Sequence, residues 1–232
     1  MNVKHFIFIF LSFLLISCSK EDSPIASGAV ASGFVRSGAI LTDEGISLRI
    51  EGTADYATGK ELPEGERIIA SFDVLGKDDD THFGILLRSF ALPLCKDLVP
   101  YSDIAAADTL GHDPITVMDG WYSGGYMNLH LEFSFRGDSK DMHLVNLVYD
   151  DSLPVSDTLR MTLRHNGHGE GATCPDYNSY NGYSYGAFYA SFPVSGLIPA
   201  GKSTLPVKIT SSWFTGEGDK TEPVAFTGKI SR

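Results

Sequence analysis

Between residues 126 and 135 apolar and polar side chains alternate without a break. Met127, Leu129, Leu131, Phe133 and Phe135 fall on one side, and Asn128, His130, Glu132 and Ser134 on the other. Successive side chains of an extended chain point to opposite faces, so this period of two predicts a strand with one face in a core and one in solvent. The same period recurs at Ile68, Ala70, Phe72 and Val74, at Leu159, Met161 and Leu163, at Phe188, Ala190, Phe192 and Val194, and at Leu205, Val207 and Ile209. Helical spacing is nearly absent, and only residues 103–110, with their alanine cluster, predict a short helical turn. Gly, Ser, Asp and Pro punctuate the runs every ~8–12 residues, the turn spacing of antiparallel sandwiches and barrels. The fold class expected is all-β.

The alanine stretch, with Pro100 before it and Gly111, His112, Asp113 and Pro114 after it, separates two blocks of strands and places a boundary near residue 110. The first block, 28–110, has room for five short strands with turns at 42–45, 59–65 and 76–80, which suits a small OB-like β-barrel. The second, 111–232, holds seven or eight strands and reads as an antiparallel β-sandwich. No internal repeat and no second membrane segment is visible.

The N-terminus is of another kind. Lys4 and His5 precede an apolar run over 6–16 that is broken only by Ser12 and ends in Leu15, Ile16, Ser17 and Cys18. A run of that length is short for a bilayer span, which needs ~20 residues, and matches the ~7–15 residue core of a secretory signal. The terminal four residues read as a lipobox, so 1–17 is expected to be a signal peptide, Cys18 the lipidated first residue, and 18–27 a polar tether. The protein would then hang from a membrane by its lipid.

Removing the signal leaves about 215 residues and moves the net charge from −11 to about −12, with acids spread along the chain. A nucleic-acid binder concentrates Lys and Arg on one face to release counterions. No basic cluster larger than a pair occurs, so nucleic acid is not an expected partner. Cys95 and Cys174 remain beside Cys18 in a compartment where disulfides form. They are read as buried thiols, with a bridge left open because spacing alone cannot bring their Cα atoms within ~7 Å.

Several motifs bear on chemistry. Gly182, Tyr183, Ser184, Tyr185 and Gly186 match the GxSxG of a serine hydrolase, but that elbow needs a strand turning into a helix and a histidine downstream. Residues 187–194 instead continue as a strand, and every histidine precedes Ser184. His165 and His168, with Glu170 and Cys174 behind them, are ligand types that zinc accepts. Positions three apart on a strand face opposite ways, however, and a hydrogen-bonded His165 is the favoured reading. Asp78, Asp79 and Asp80 in a row suit a solvated hairpin tip better than a calcium loop, which needs oxygens at alternating positions. No cofactor is expected and no catalytic set is assembled. Tyr177, Tyr180, Tyr183 and Tyr185, among Asn, Ser and Gly, form the candidate recognition site, since tyrosine supplies contact area at low entropy cost. Trp121 and Trp213 are read as core anchors.

Residues 163–167 (LRHNG), the SGGYMNL stretch over 123–129, the EGERIIASFDV stretch over 64–74 and the lipobox together resemble the NigD-like lipoproteins of Bacteroidetes. The resemblance covers most of the mature chain and implies an N-terminal OB-type barrel with a C-terminal β-sandwich. The family name comes from association with a bacteriocin operon, which implies an immunity role as one expectation. Ser19, Lys20, Glu21 and Asp22 resemble the signal that exports such lipoproteins from the outer membrane to the cell surface. The function expected is therefore non-enzymatic recognition of a glycan or envelope protein by a surface lipoprotein. Bacteriocin immunity and a purely structural envelope role are the alternatives.

Overall fold

The computed structural model describes residues 24–103, 109–136, 141–152, 157–169, 183–211 and 224–231. Strands β1 (Ala26–Arg36), β2 (Ala39–Thr42), β3 (Ser47–Thr53), β4 (Arg67–Lys77) and β5 (His82–Ala91) close into a barrel in the order β1-β2-β3-β5-β4. β3 and β5 run parallel and the other barrel pairs antiparallel. Val35, Ile40, Leu48, Ile68, Ala70, Ile85 and Leu87 fill the interior. Each aliphatic side chain fully withdrawn from water contributes ~1.5–3 kcal/mol, so the small barrel has a core of its own. Its closure needs Gly33, because a Cβ there would lie 2.3 Å from the Leu41 carbonyl oxygen on β2. The barrel starts earlier than the sequence reading had it. Ile25 already donates its N–H to the Val74 carbonyl at 2.7 Å, so the tether ends before residue 27.

The chain leaving the barrel enters the sandwich at once. β6 (Leu94–Cys95) pairs with β12 (Tyr183–Pro193) in one sheet, and β7 (Val99–Pro100) pairs with β10 (Leu144–Tyr149) in the other. The division between the two units therefore falls between Ala91 and Leu94, not near 110. Two strands of two residues each carry no readable period, so alternation along the sequence does not reveal them. The remaining strands are β8 (Thr116–Ser123), β9 (Tyr126–Arg136), β11 (Leu159–Asn166), β13 (Thr204–Ser211) and β14 (Val224–Ser231). They complete a four-stranded sheet, β6-β12-β9-β8, and a five-stranded sheet, β14-β13-β11-β10-β7. Most neighbours are antiparallel, but β11 with β13, β7 with β10 and β6 with β12 are parallel.

The alternation predicts the sandwich core well. Met127, Leu129, Leu131, Leu159, Met161, Leu163, Ala190, Phe192, Leu205, Val207 and Ile209 all point between the sheets. Of the stretch read as a helical turn, residues 101–103 form one turn of 3-10 helix and 104–108 lie outside the described residues. No helix among the described residues is long and apolar enough to cross a membrane.

Candidate functional site

The polar side of β9 is not simply solvated. Asn128 is fully buried, as are Ser191 on β12 and the side chains of Arg67 and Asp43 of the barrel, because the barrel sits on this end of the four-stranded sheet. The Arg67 guanidinium donates to both Asp43 carboxylate oxygens at 2.8 and 2.6 Å, to Asn128 Oδ1 at 3.0 Å and to Ser191 Oγ at 3.3 Å. Ser191 Oγ donates to Asn128 Oδ1 at 2.7 Å, Asn128 Nδ2 to Ser123 Oγ at 3.0 Å, and Ser123 Oγ to Asp43 at 2.5 Å. Each hydroxyl thus both gives and receives, and the side-chain amide uses its oxygen and its nitrogen.

A buried ion pair repays its desolvation only when such surrounding hydrogen bonds complete it. The Tyr126 ring covers the guanidinium at 4.2 Å, adding a cation–π contact. Gly124, at φ +55°, lets the β8–β9 turn approach Asp43, since a Cβ there would lie 2.3 Å from Asp43 Oδ1. Two barrel residues and three sandwich residues therefore form one network that locks the units together.

Beyond this clamp the outer face of the four-stranded sheet carries an aromatic row. Trp121 donates its indole N–H to Ser32 Oγ of β1 at 3.1 Å. Its ring meets Tyr189 edge-on, with centroids 6.1 Å apart, and Tyr189 stacks on His130 at 4.6 Å. Tyr185 lies four residues further along β12 on the same face, ~13 Å away at ~3.3 Å per residue, and is 48% exposed. Asp119, exposed beside Trp121 on β8, and the half-buried Glu132 place carboxylates among these rings. The row is fixed at its Trp121 end by the barrel and aligned along its length by the sheet register.

The candidate tyrosines separate in the structure. Tyr185 belongs to this face and Tyr183 opens β12, whereas Tyr177 and Tyr180 lie outside the described residues, as do Cys18, Ser19, Lys20, Glu21, Asp22 and Trp213. Trp121 is not a core anchor: it is half-buried on the outer face, because it is paired with Asn128 rather than with an inward-pointing residue. Ser184 lies within β12, paired with Phe135, so the turn a hydrolase elbow needs is not formed there. Cys95 is exposed and unbridged, not buried, and Cys174 lies outside the described residues.

His165 is fully buried. Its Nδ1 donates to the Pro114 carbonyl at 3.0 Å, which leaves Nε2 to accept from His143 Nδ1 at 2.9 Å. Burial pushes its pKa below the usual value of 6.5. His168 stands apart, exposed on a backbone with φ 55°. Each of the three aspartates has a protein partner: Asp78 holds Arg49 at 2.9 Å, Asp80 holds Lys77 at 2.6 Å, and Asp79 accepts from Thr81 and contacts His82. Those bonds keep the Asp79 carboxyl well below the ordinary carboxylate range. Among the described residues no three potential ligands gather to hold a metal ion.

Arg67 and Asn128 fall in the 64–74 and 123–129 stretches already singled out, but nothing local in the sequence joins them to Asp43 or Ser191, since Arg67 lies 24 residues from Asp43 and 124 from Ser191. Tyr189 and His130 were legible only as face residues of their strands.

Residues 97–222 match the family of the NigD-like C-terminal beta sandwich domain. No curated protein matches the chain. Among solved structures, a NigD-like immunity protein from Bacteroides caccae is similar at TM-score 0.60 and 18% identity, covering 90% of this chain and 98% of that one. A protein named as toxin-related from Parabacteroides distasonis is similar at 0.58 and 22%, covering 88% and 93%. One named as a lipoprotein from Bacteroides fragilis is similar at 0.55 and 12%, covering 88% and 97%. At these identities the likeness speaks to fold.

Proposed function

The chain belongs to the NigD-like family, and from that premise we propose that it is a non-enzymatic, lipid-anchored recognition protein of the bacterial envelope that binds a glycan on the outer face of its four-stranded sheet. The observation that carries this reading is the aromatic row of Trp121, Tyr189, His130 and Tyr185, fixed to the barrel at one end and open to solvent at the other. Rings offer apolar area to the C–H faces of sugars, and Asp119 and Glu132 accept from sugar hydroxyls. The ~13 Å between Tyr189 and Tyr185 suits an extended ligand over a single ring. An envelope protein docking on the same face is the other outcome of the test.

In that test the soluble mature protein is screened against neutral bacterial and host oligosaccharides and against detergent extracts of envelopes. Tyr185→Ala and His130→Ala should each weaken capture at least fivefold with an unchanged melting temperature. Equal capture by wild type and both variants would remove this face from consideration. Lipidation is tested by Cys18→Ala, which should abolish acylation and release the protein. Export is tested by proteinase added to intact cells: the native protein should be digested, and one with Lys20, Glu21 and Asp22 changed to alanine should be protected.

A second reading, bacteriocin immunity, is supported by the name of the Bacteroides caccae neighbour, which shares the fold. It requires that deleting the gene sensitises the producing cell to a bacteriocin, whatever the glycan screen returns.

A further inference from the structure

The opposite face of the sandwich carries a cleft of about 370 Å³, within the ~300–1,000 Å³ of small-ligand sites. Val148, Thr162 and Thr210 line its floor, the two threonine hydroxyls 3.3 Å apart. Arg160 of β11 and Lys208 of β13 stand side by side at its edge, partnered in the register of two parallel strands ~4.8 Å apart. Tyr101 forms a further wall and is 62% exposed. Its position is fixed by the next residue: Ser102 donates its N–H and hydroxyl to Asp151 at 3.0 and 2.5 Å, tying the 101–103 turn to the end of β10.

The charge arrangement needs explaining. The protein carries a net charge of −11, and Arg49, Arg67, Arg88, Lys77 and Lys202 all find a carboxylate. Among the described residues Arg160 and Lys208, like Arg36, Lys60, Lys96 and Lys229, form no ion pair, but only these two are register partners on adjacent strands. Like charges opposite each other on adjacent strands repel, so the pair costs stability unless an anion lies against it. Asp150, the carboxylate lining the cleft, forms no ion pair with either cation; its Oδ1 turns to its own loop, accepting from Ser152 N–H at 2.9 Å and Ser152 Oγ at 2.5 Å. Arg164, the next cation along β11, is likewise occupied, donating to the Gly111 carbonyl at 2.8 Å.

We propose that this cleft binds an acidic sugar, its carboxylate or sulfate seated between Arg160 and Lys208, its hydroxyls on Thr162 and Thr210, and its ring against Tyr101. The fork of the guanidinium and the point charge of the ammonium suit either anion, and the hydroxyls and aromatic wall select a polyhydroxylated ring over a bare ion. This site deepens the glycan reading and rests on it for its biological role. Its residues and its sheet are different from those of the aromatic row, so the two stand or fall separately.

The test uses the full lipoprotein in a polyoxyethylene detergent, titrated with trigalacturonate, with chondroitin 4-sulfate disaccharide, and with neutral maltotriose. Saturable binding of either acid without binding of maltotriose is expected. The chondroitin disaccharide carries both a uronate carboxylate and a sulfate, so binding of trigalacturonate assigns the carboxylate, and binding of the disaccharide alone assigns the sulfate. Arg160→Gln and Lys208→Gln should each weaken it about tenfold, the value of one charge-assisted hydrogen bond of ~1.5 kcal/mol. Both side chains lie on the outer face and each substitution relieves the repulsion between them, so neither variant should melt below the wild type. Tyr185→Ala should bind the acid as wild type does, whatever its effect on the other face. Failure of both acids to exceed maltotriose overturns the proposal, as does acid binding that survives both charge substitutions or is lost only with Tyr185→Ala.

Discussion

Replacing Arg67 by alanine perturbs the structure where the two units meet. The substitution removes both bonds to Asp43, the bond to Asn128 and the bond to Ser191, and it leaves the Asp43 carboxylate buried with Ser123 as its remaining partner in the network. The two side chains are 1% and 3% exposed, so water cannot replace what is lost without opening the junction. Breaking a buried pair by removing one partner costs ~3–5 kcal/mol. For a protein of this size each kcal/mol shifts the melting temperature by ~2–4 °C, so a fall of ~6–20 °C is expected by calorimetry. Because the network is shared between barrel and sandwich, wild type should unfold in one transition and Arg67→Ala in two. The double variant Arg67→Met with Asp43→Asn leaves no buried charge and should lose clearly less than Arg67→Ala alone. A shift under ~2 °C, or a double variant as damaged as the single, would refute the reasoning.

Three further outcomes follow from particular contacts. Burial lowers the His165 pKa below 6.5, so the unfolded chain binds the extra proton more readily. The stability due to neutral His165 is therefore complete above about pH 6.5 and falls as pH drops towards the folded value, by at most ~1.4 kcal/mol per unit. Urea midpoints between pH 7.5 and 5 should show this slope, and His165→Gln should flatten it. Gly33→Ala should destabilise the barrel by ~1–3 kcal/mol in chemical unfolding, because the new Cβ meets backbone at 2.3 Å that cannot rotate away. Cys95, exposed on β6, should react with a maleimide in the native protein, and protection that reductant reverses would indicate a bridge.

How much was legible depends on whether a signal is local. On β9, β11, β12 and β13 the apolar residues of the alternation, Phe135 at the end of β9 excepted, are those that fill the sandwich, because a period of two dictates which side chains share a face before any partner is known. The two-residue strands β6 and β7 are too short to hold a period, and the boundary read at 110 moved to 91–94 with them. The aromatic row was half visible. Tyr185 stood out in a tyrosine-rich stretch, but Tyr189, His130 and Trp121 come together only because β8, β9 and β12 lie side by side.

The sequence by itself determined the all-β class, the barrel-then-sandwich order and the inward faces of the longer strands, all of which depend on neighbours within a strand. The tertiary structure decided what lies on the outward faces. There the barrel buries Asn128 and Ser191 under Arg67, and strand register sets Arg160 beside Lys208. A polar residue facing outward reads the same whether water or another sheet covers it. Which of the two it meets is settled by long-range packing and by the hydrogen bonds a buried polar group must then find.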